Sequence, residues 1–140
     1  MNYDLIDKVI IITGANSGIG KAASIQLAQC GATVVMACRS RERGAQALVD
    51  VRQESNSPTV YLMEVDMSSQ KSIHQFAREF LEQYQQLHVL MHNAANFDHS
   101  LKKRTFTPEG LETVFATNHL GPFLLTHLLL ERLKASAPSR

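Results

Sequence analysis

Three glycines in a GxxxGxG spacing stand in the segment Thr13-Gly14-Ala15-Asn16-Ser17-Gly18-Ile19-Gly20, between an apolar run and a stretch of helical periodicity. A turn placed between a strand and a helix can aim backbone N–H groups at a phosphate, and the positive end of the helix dipole adds to the attraction. Gly14 permits the tight turn, Gly18 removes a side chain that would block a pyrophosphate, and Gly20 lets the helix pack closely on the sheet. With Asn16, Ser17 and Ile19 between them, the segment reads as a phosphate cradle. Hydrolytic chemistry is not indicated: Ser17 is not in a GxSxG elbow, and no triad can be assembled around it.

The elements that must position this loop follow from the hydropathy pattern. Val9 to Ile12 is β-branched and unalternating, as expected of a central parallel strand buried on both faces. Ile19 to Cys30 carries Ile19, Ala22, Ala23, Ile25, Leu27 and Ala28 at helical spacing, with Gly31 as its stop. The same alternation repeats. Thr33 to Cys38 is a strand, Glu42 to Val51 a helix, Ser55-Asn56-Ser57-Pro58 a loop, Val60 to Val65 a third strand, and Leu87 to Met91 a fourth. Ser69 is placed to cap a helix running to about Tyr84. Thr107 is placed to cap a last helix with Pro108 in its first turn, kinked midway at Gly121-Pro122 and ending near Leu133. Strands alternating with helices imply a parallel sheet with right-handed crossovers, hence a Rossmann-type, three-layer, doubly wound α/β domain over residues 1–140.

The cradle followed by Ala37-Cys38-Arg39, then Val65-Asp66-Met67-Ser68-Ser69, His92-Asn93-Ala94-Ala95 and Thr117-Asn118-His119-Leu120-Gly121 resembles the short-chain dehydrogenases/reductases, most closely the retinol-dehydrogenase-like group. The resemblance runs from about Lys8 to Arg140. It implies a strand order 3-2-1-4 with four helices, a nicotinamide cofactor, and hydride transfer between that cofactor and a small carbonyl or alcohol substrate. It also implies roles. An NAD-preferring member carries an acid at the end of the second strand for the ribose 2′-hydroxyl, and Cys38-Arg39 stand there instead. The guanidinium of Arg39, with Arg43 as a second contact, suits the 2′-phosphate of NADP(H), which makes NAD(H) the less favoured cofactor. Asp66 matches the aspartate that accepts from the adenine amine, beside the Met67 backbone N–H. Asn93 and Ala94 match residues that support the sheet and the cofactor ribose, and Ala95 adds a methyl group where the family has glycine. Asn118, a poor helix former in an apolar stretch, matches the asparagine of the catalytic tetrad, which holds a water through a break in the helix.

The remaining catalytic pair of that family, Tyr-x-x-x-Lys, does not occur here: Asp7, Val65 and His88 stand four residues after Tyr3, Tyr61 and Tyr84. The chain therefore reads as a cofactor-binding half, inactive alone. Two other classes stay open beside the enzyme: a non-catalytic NADP(H)-binding or dimerisation module, and an unrelated epimerase-like or flavodoxin-like domain. The fourth strand's edge and the last helix's apolar face are expected to lack partners, which favours self-association into homo-oligomers.

Bulk properties agree with a globular protein. The 140 residues are 44% hydrophobic and 19% charged with a formal net charge of +1, too balanced to draw in nucleic acid or an anionic membrane. The single basic run, Lys102-Lys103-Arg104, reads as a solvated face. No apolar stretch approaches the roughly 20 residues of a membrane span, and Asp4 and Asp7 stand where a signal peptide needs a basic lead, so a cytoplasmic setting is expected. Cys30 and Cys38 read as buried thiols. His92, His99, His119 and His127 lack the paired spacing of a zinc site, so no metal is expected, and His74 and His88 read as partly exposed.

Overall fold

A computed structural model describes residues 4–97 and 103–140. Lys102, His99 and Tyr3 lie outside these residues. Four parallel strands form one sheet in the order β3-β2-β1-β4, comprising β1 (Val9–Thr13), β2 (Thr33–Cys38), β3 (Val60–Glu64) and β4 (Val89–Met91). β1 lies between β2 and β4, with Thr13 level with Ala37 and Ile12 level with Met91. Three crossover helices connect the strands: α1 (Gly18–Gln29), α2 (Arg41–Ser55) and α3 (Gln70–Gln83). A last helical rod begins as α4 (Thr113–Phe115), passes through a π-helical turn (Ala116–Leu120) and continues as α5 (Gly121–Ala135).

Because successive strand side chains point to opposite faces, the unalternating strands feed two cores. Ile10, Ile12, Val34, Met36 and Cys38 pack with Ala28, Ala47 and Val51 of α1 and α2. Ile11, Val35, Ala37 and Met63 face the other way, onto Ile73, Phe76 and Phe80 of α3 and Leu125, Leu129 and Leu133 of α5. The main apolar face of the last helix is thus covered by α3 and the sheet, contrary to expectation. Phe115 and Phe123 lie on another side of the rod and are exposed. The free edge of β4 is also engaged at one point: Arg140 N–H donates to the His88 carbonyl and Leu90 N–H to the Arg140 carbonyl.

Several sequence expectations need correction. Thr107 does not start a helix. Its carbonyl accepts from Gly110 N–H and its hydroxyl from Leu111 N–H, and Gly110 at φ +80° reverses the chain. The Thr-Pro-x-Gly signal is spent on a turn, and the helix begins only after Glu112, whose carboxylate accepts from Val114 and Phe115 N–H. These two bonds hold the Glu112 carboxyl below its usual range. Cys30 is only half-buried because it ends α1, with its carbonyl turned to Leu5 N–H. His88 is buried: its Nδ1 accepts from Val9 N–H, which ties the start of β1 to the residue before β4. α2 runs one turn further than its apolar pattern, to a left-handed cap at Asn56.

Candidate functional site

β1 is followed by α1 on one face of the sheet and β4 by the helical rod on the other, so the strand order reverses between them, which in open α/β sheets leaves a crevice for ligands. Here the crevice is a groove of about 410 Å³, and its lining includes Gly14, Asn16, Ser17, Arg39, Arg43, Asp66, Met67, Asn93, Ala94, Ala95 and Asn96. Nine of the residues singled out from sequence as cofactor contacts therefore meet at one site. Gly18, Ile19 and Gly20 stand apart from the lining. Gly20 is buried beneath the loop, and Ile19 is 80% exposed beside it.

The floor of the groove is held by a residue the sequence reading passed over. The buried Thr13 hydroxyl accepts from both Asn93 N–H and Ala94 N–H, each at 3.0 Å, and so joins the ends of β1 and β4. A polar residue closing an otherwise apolar strand was the available signal. Asn93 Nδ2 donates in return to the carbonyls of Thr13 (3.0 Å) and Gly14 (3.2 Å). Close approach explains the glycines. A Cβ on Gly20 would stand 2.5 Å from Asn93 Nδ2 and 2.6 Å from the Gly14 oxygen, and one on Gly14 would meet Ala94 Cα at 2.9 Å. Gly20 therefore packs on the loop and Asn93. Gly18 has open space around it, but its φ of +54° is one that side chains rarely adopt.

The loop leaves donors unspent. Ser17 occupies the N-cap position of α1, yet its side chain makes no capping bond and no acidic residue stands in the first turn. Among the described residues, no acceptor meets the N–H groups of Ser17, Gly18 and Ile19. This is a positive, unsatisfied helix end opening on the groove, suited to a phosphate. Beside it, Arg39 is exposed and Cys38 is buried. Burial pushes the Cys38 thiol up to about 11, against the smaller opposing pull of the Ala15 and Asn16 N–H groups, so this side chain is a neutral part of the core.

At the opposite wall, Asp66 Oδ1 accepts from Ser68 N–H at 2.9 Å and from the Ser68 hydroxyl at 2.7 Å. Its Oδ2 has no hydrogen-bond partner among the described residues, and neither does Met67 N–H. Ser69 caps α3 instead, accepting from Ser72 N–H. The geometry thus leaves one acceptor and one donor side by side, the pair an adenine edge requires. Asn118 lies in the π-helical turn and is exposed; only its neighbour Thr117 lines the groove. Its Oδ1 accepts from Asn96 N–H at 2.7 Å and its Nδ2 donates to the Asn96 carbonyl at 2.9 Å. The expected break falls one turn before Pro122. Proline has no N–H for the carbonyl four residues back, that of Asn118, and its ring crowds it. Gly121 N–H bonds to the Ala116 carbonyl, a five-residue step that widens the turn. His92 Nε2 lies 2.8 Å from the Thr126 hydroxyl, on the rod's neighbouring face.

A parallel 3-2-1-4 sheet with a glycine loop at its switch point is a Rossmann-type fold, and the chain belongs to the short chain dehydrogenase family, whose model matches residues 8–139. It is 49% identical over 133 residues to dehydrogenase/reductase SDR family member 13 of Bos taurus, covering 95% of this chain and 34% of that protein. To retinol dehydrogenase 12 of Homo sapiens it is 46% identical over 139 residues, covering 99% of this chain and 43% of that protein. The chain thus spans well under half the length of these relatives. Among solved structures, it is similar to the short chain dehydrogenase from Shigella flexneri (TM-score 0.76, 26% identity, 95% of this chain and 52% of that one). The RhlG/NADP active-site complex of Pseudomonas aeruginosa superposes with a TM-score of 0.78 at 25% identity, over 97% of this chain and 50% of that one.

Proposed function

We propose that this chain binds NADP(H), and that the protein to which its fold belongs moves a hydride between the nicotinamide and a small carbonyl or alcohol compound. The observation that carries this reading is the uncapped start of α1, whose free N–H groups open on the same groove as Arg39. The loop amides would hold the pyrophosphate, Asp66 and Met67 the adenine, and Arg39 with Arg43 the 2′-phosphate. The bound cofactor supplies the hydride. Asn118 positions the Asn96 backbone at the far end of the groove through its two bonds. The RhlG complex with NADP supports a phosphate-bearing cofactor in this fold.

The Tyr-x-x-x-Lys pair to which the family resemblance assigns proton transfer does not occur in these residues, since no lysine stands four residues after a tyrosine. We propose that the 140 residues alone bind cofactor without turnover. Calorimetric titration with NADPH and NADH tests the binding: tighter binding of NADPH, lost on Arg39→Glu, is expected, and equal affinity unchanged by that substitution would remove the 2′-phosphate assignment. NADPH oxidation by the purified chain, abolished by Asn118→Ala, would contradict the proposed inactivity.

A second reading, a non-catalytic binding or dimerisation module, is favoured by one feature. Phe115, His119, Phe123 and His127 follow one another at four-residue steps on the rod and are exposed, with the Phe115 and His119 rings stacked at 5.1 Å. Self-association of the chain through this stripe is part of that reading.

A further inference from the structure

Gly121 begins α5 with φ −60° and ψ −53°, ordinary helical angles that any residue adopts. Its lack of a side chain therefore answers a demand of space. A Cβ there would fall inside the van der Waals surface of the Met67 carbonyl oxygen and lie 3.1 Å from both the Met67 carbonyl carbon and the Ala116 oxygen. These are backbone atoms, which cannot swing aside as a side-chain tip can. The helical rod is thus seated directly on the turn that carries Asp66 and Met67. One helical turn earlier on the same rod, Asn118 grips the Asn96 backbone through two hydrogen bonds. Met67 and Asn96 both line the groove, and the rod touches both.

We propose that Gly121 is a positioning residue that sets the height of the rod on the Met67 carbonyl and thereby couples the adenine end of the groove to the Asn96–Asn118 end. This rests on the NADP(H) reading above for its functional meaning, but the coupling itself has a readout that needs no cofactor. In Gly121→Ala the added methyl lifts the rod from Met67, strains the 66–69 turn, and draws Asn118 off Asn96. The reporters are the Ser69 amide, bonded to the Asp66 carbonyl at 3.0 Å, and the Asn96 amide, bonded to Asn118. Leu129→Ala serves as the control, because it opens a cavity in the core from a position eight residues further along the same helix.

Hydrogen exchange followed by NMR is expected to show both amides exchanging roughly tenfold faster in Gly121→Ala than in Leu129→Ala after correction for global stability, in line with a typical overpacking cost. NADPH affinity is expected to fall about tenfold further in Gly121→Ala than in the control. Asn118→Ala, at an exposed position, reads the coupling from the other end and is expected to speed Ser69 as well as Asn96, so the test survives if Gly121→Ala does not fold. If Ser69 and Asn96 follow global stability alone in Gly121→Ala, or if Ser69 is unmoved in Asn118→Ala, the coupling is overturned. Failure of the unsubstituted chain to bind NADPH would overturn the cofactor reading instead, with the exchange result still deciding the coupling.

Discussion

Three helices of this molecule start at a serine, and they use it differently. Ser40 and Ser69 accept from the N–H three residues on, capping α2 and α3. Each of those starts also has a carboxylate nearby: Glu42 in the first turn of α2, and Glu109, whose two oxygens take Gln70 and Lys71 N–H of α3 from 39 and 38 residues away. Ser17, at the start of α1, caps nothing, and no acid stands in its first turn. The starts of α2 and α3 are satisfied internally, and the start of α1 is left positive and open. In a protein that otherwise pairs its helix ends, the unspent donors support the proposal that an anion is received there.

The largest expected effect comes from closing the open end. Gly18→Asp places a carboxylate at φ +54°, over the free N–H groups, and should weaken NADPH binding by about a hundredfold or more, checked by calorimetry. Next, Arg39→Glu should remove an advantage of NADPH over NADH of about tenfold to a hundredfold, measured as the ratio of the two affinities. The serines themselves then separate the two kinds of helix start. Ser40→Ala and Ser69→Ala should each cost about 1 kcal/mol in urea unfolding, whereas Ser17→Ala should leave stability nearly unchanged. A stability loss at Ser17 equal to the others would erase the comparison.

The smallest effect is in pH dependence, and it belongs to β1 and β4 rather than to the helix starts. His88 is held below its ordinary 6.5 by burial and, secondarily, by the charge of Lys8, and its Nδ1 must stay unprotonated to accept from Val9 N–H. The unfolded chain takes up this proton near 6.5 and the folded chain only at lower pH. Stability should therefore be flat above 6.5 on this account and fall as pH drops through that value toward the folded pKa. Thermal unfolding at several pH values checks this, and His88→Phe should flatten the slope.

The central strands could be read from the chain because Val9–Ile12 and Thr33–Cys38 run without alternation, a pattern that a strand covered on both faces tolerates, whereas the strand order followed from the family resemblance. Asp66, Asn93 and Arg39 were legible through the family motifs that they match, each of which stands just past the end of a strand. What escaped depends on contacts between distant segments. Glu109 capping α3, Thr13 joining β1 to β4, and His88 accepting from Val9 each pair residues 38 to 81 positions apart. Thr107 misled for the opposite reason. Its Thr-Pro-x-Gly run suits a helix start and a turn alike, and the positive φ of Gly110 decides for the turn. That Ser17 would leave its helix uncapped was not readable, since Ser17, Ser40 and Ser69 look alike in sequence.

The central claim, that the open start of α1 receives the cofactor's phosphates, is tested most directly by an amide NMR titration of the chain with NADPH. The account predicts that the Ser17, Gly18 and Ile19 amides shift most, with Met67 following, while the capped amides of Arg43 and Ser72 barely move. Saturable NADPH binding that leaves Ser17, Gly18 and Ile19 unmoved would contradict it.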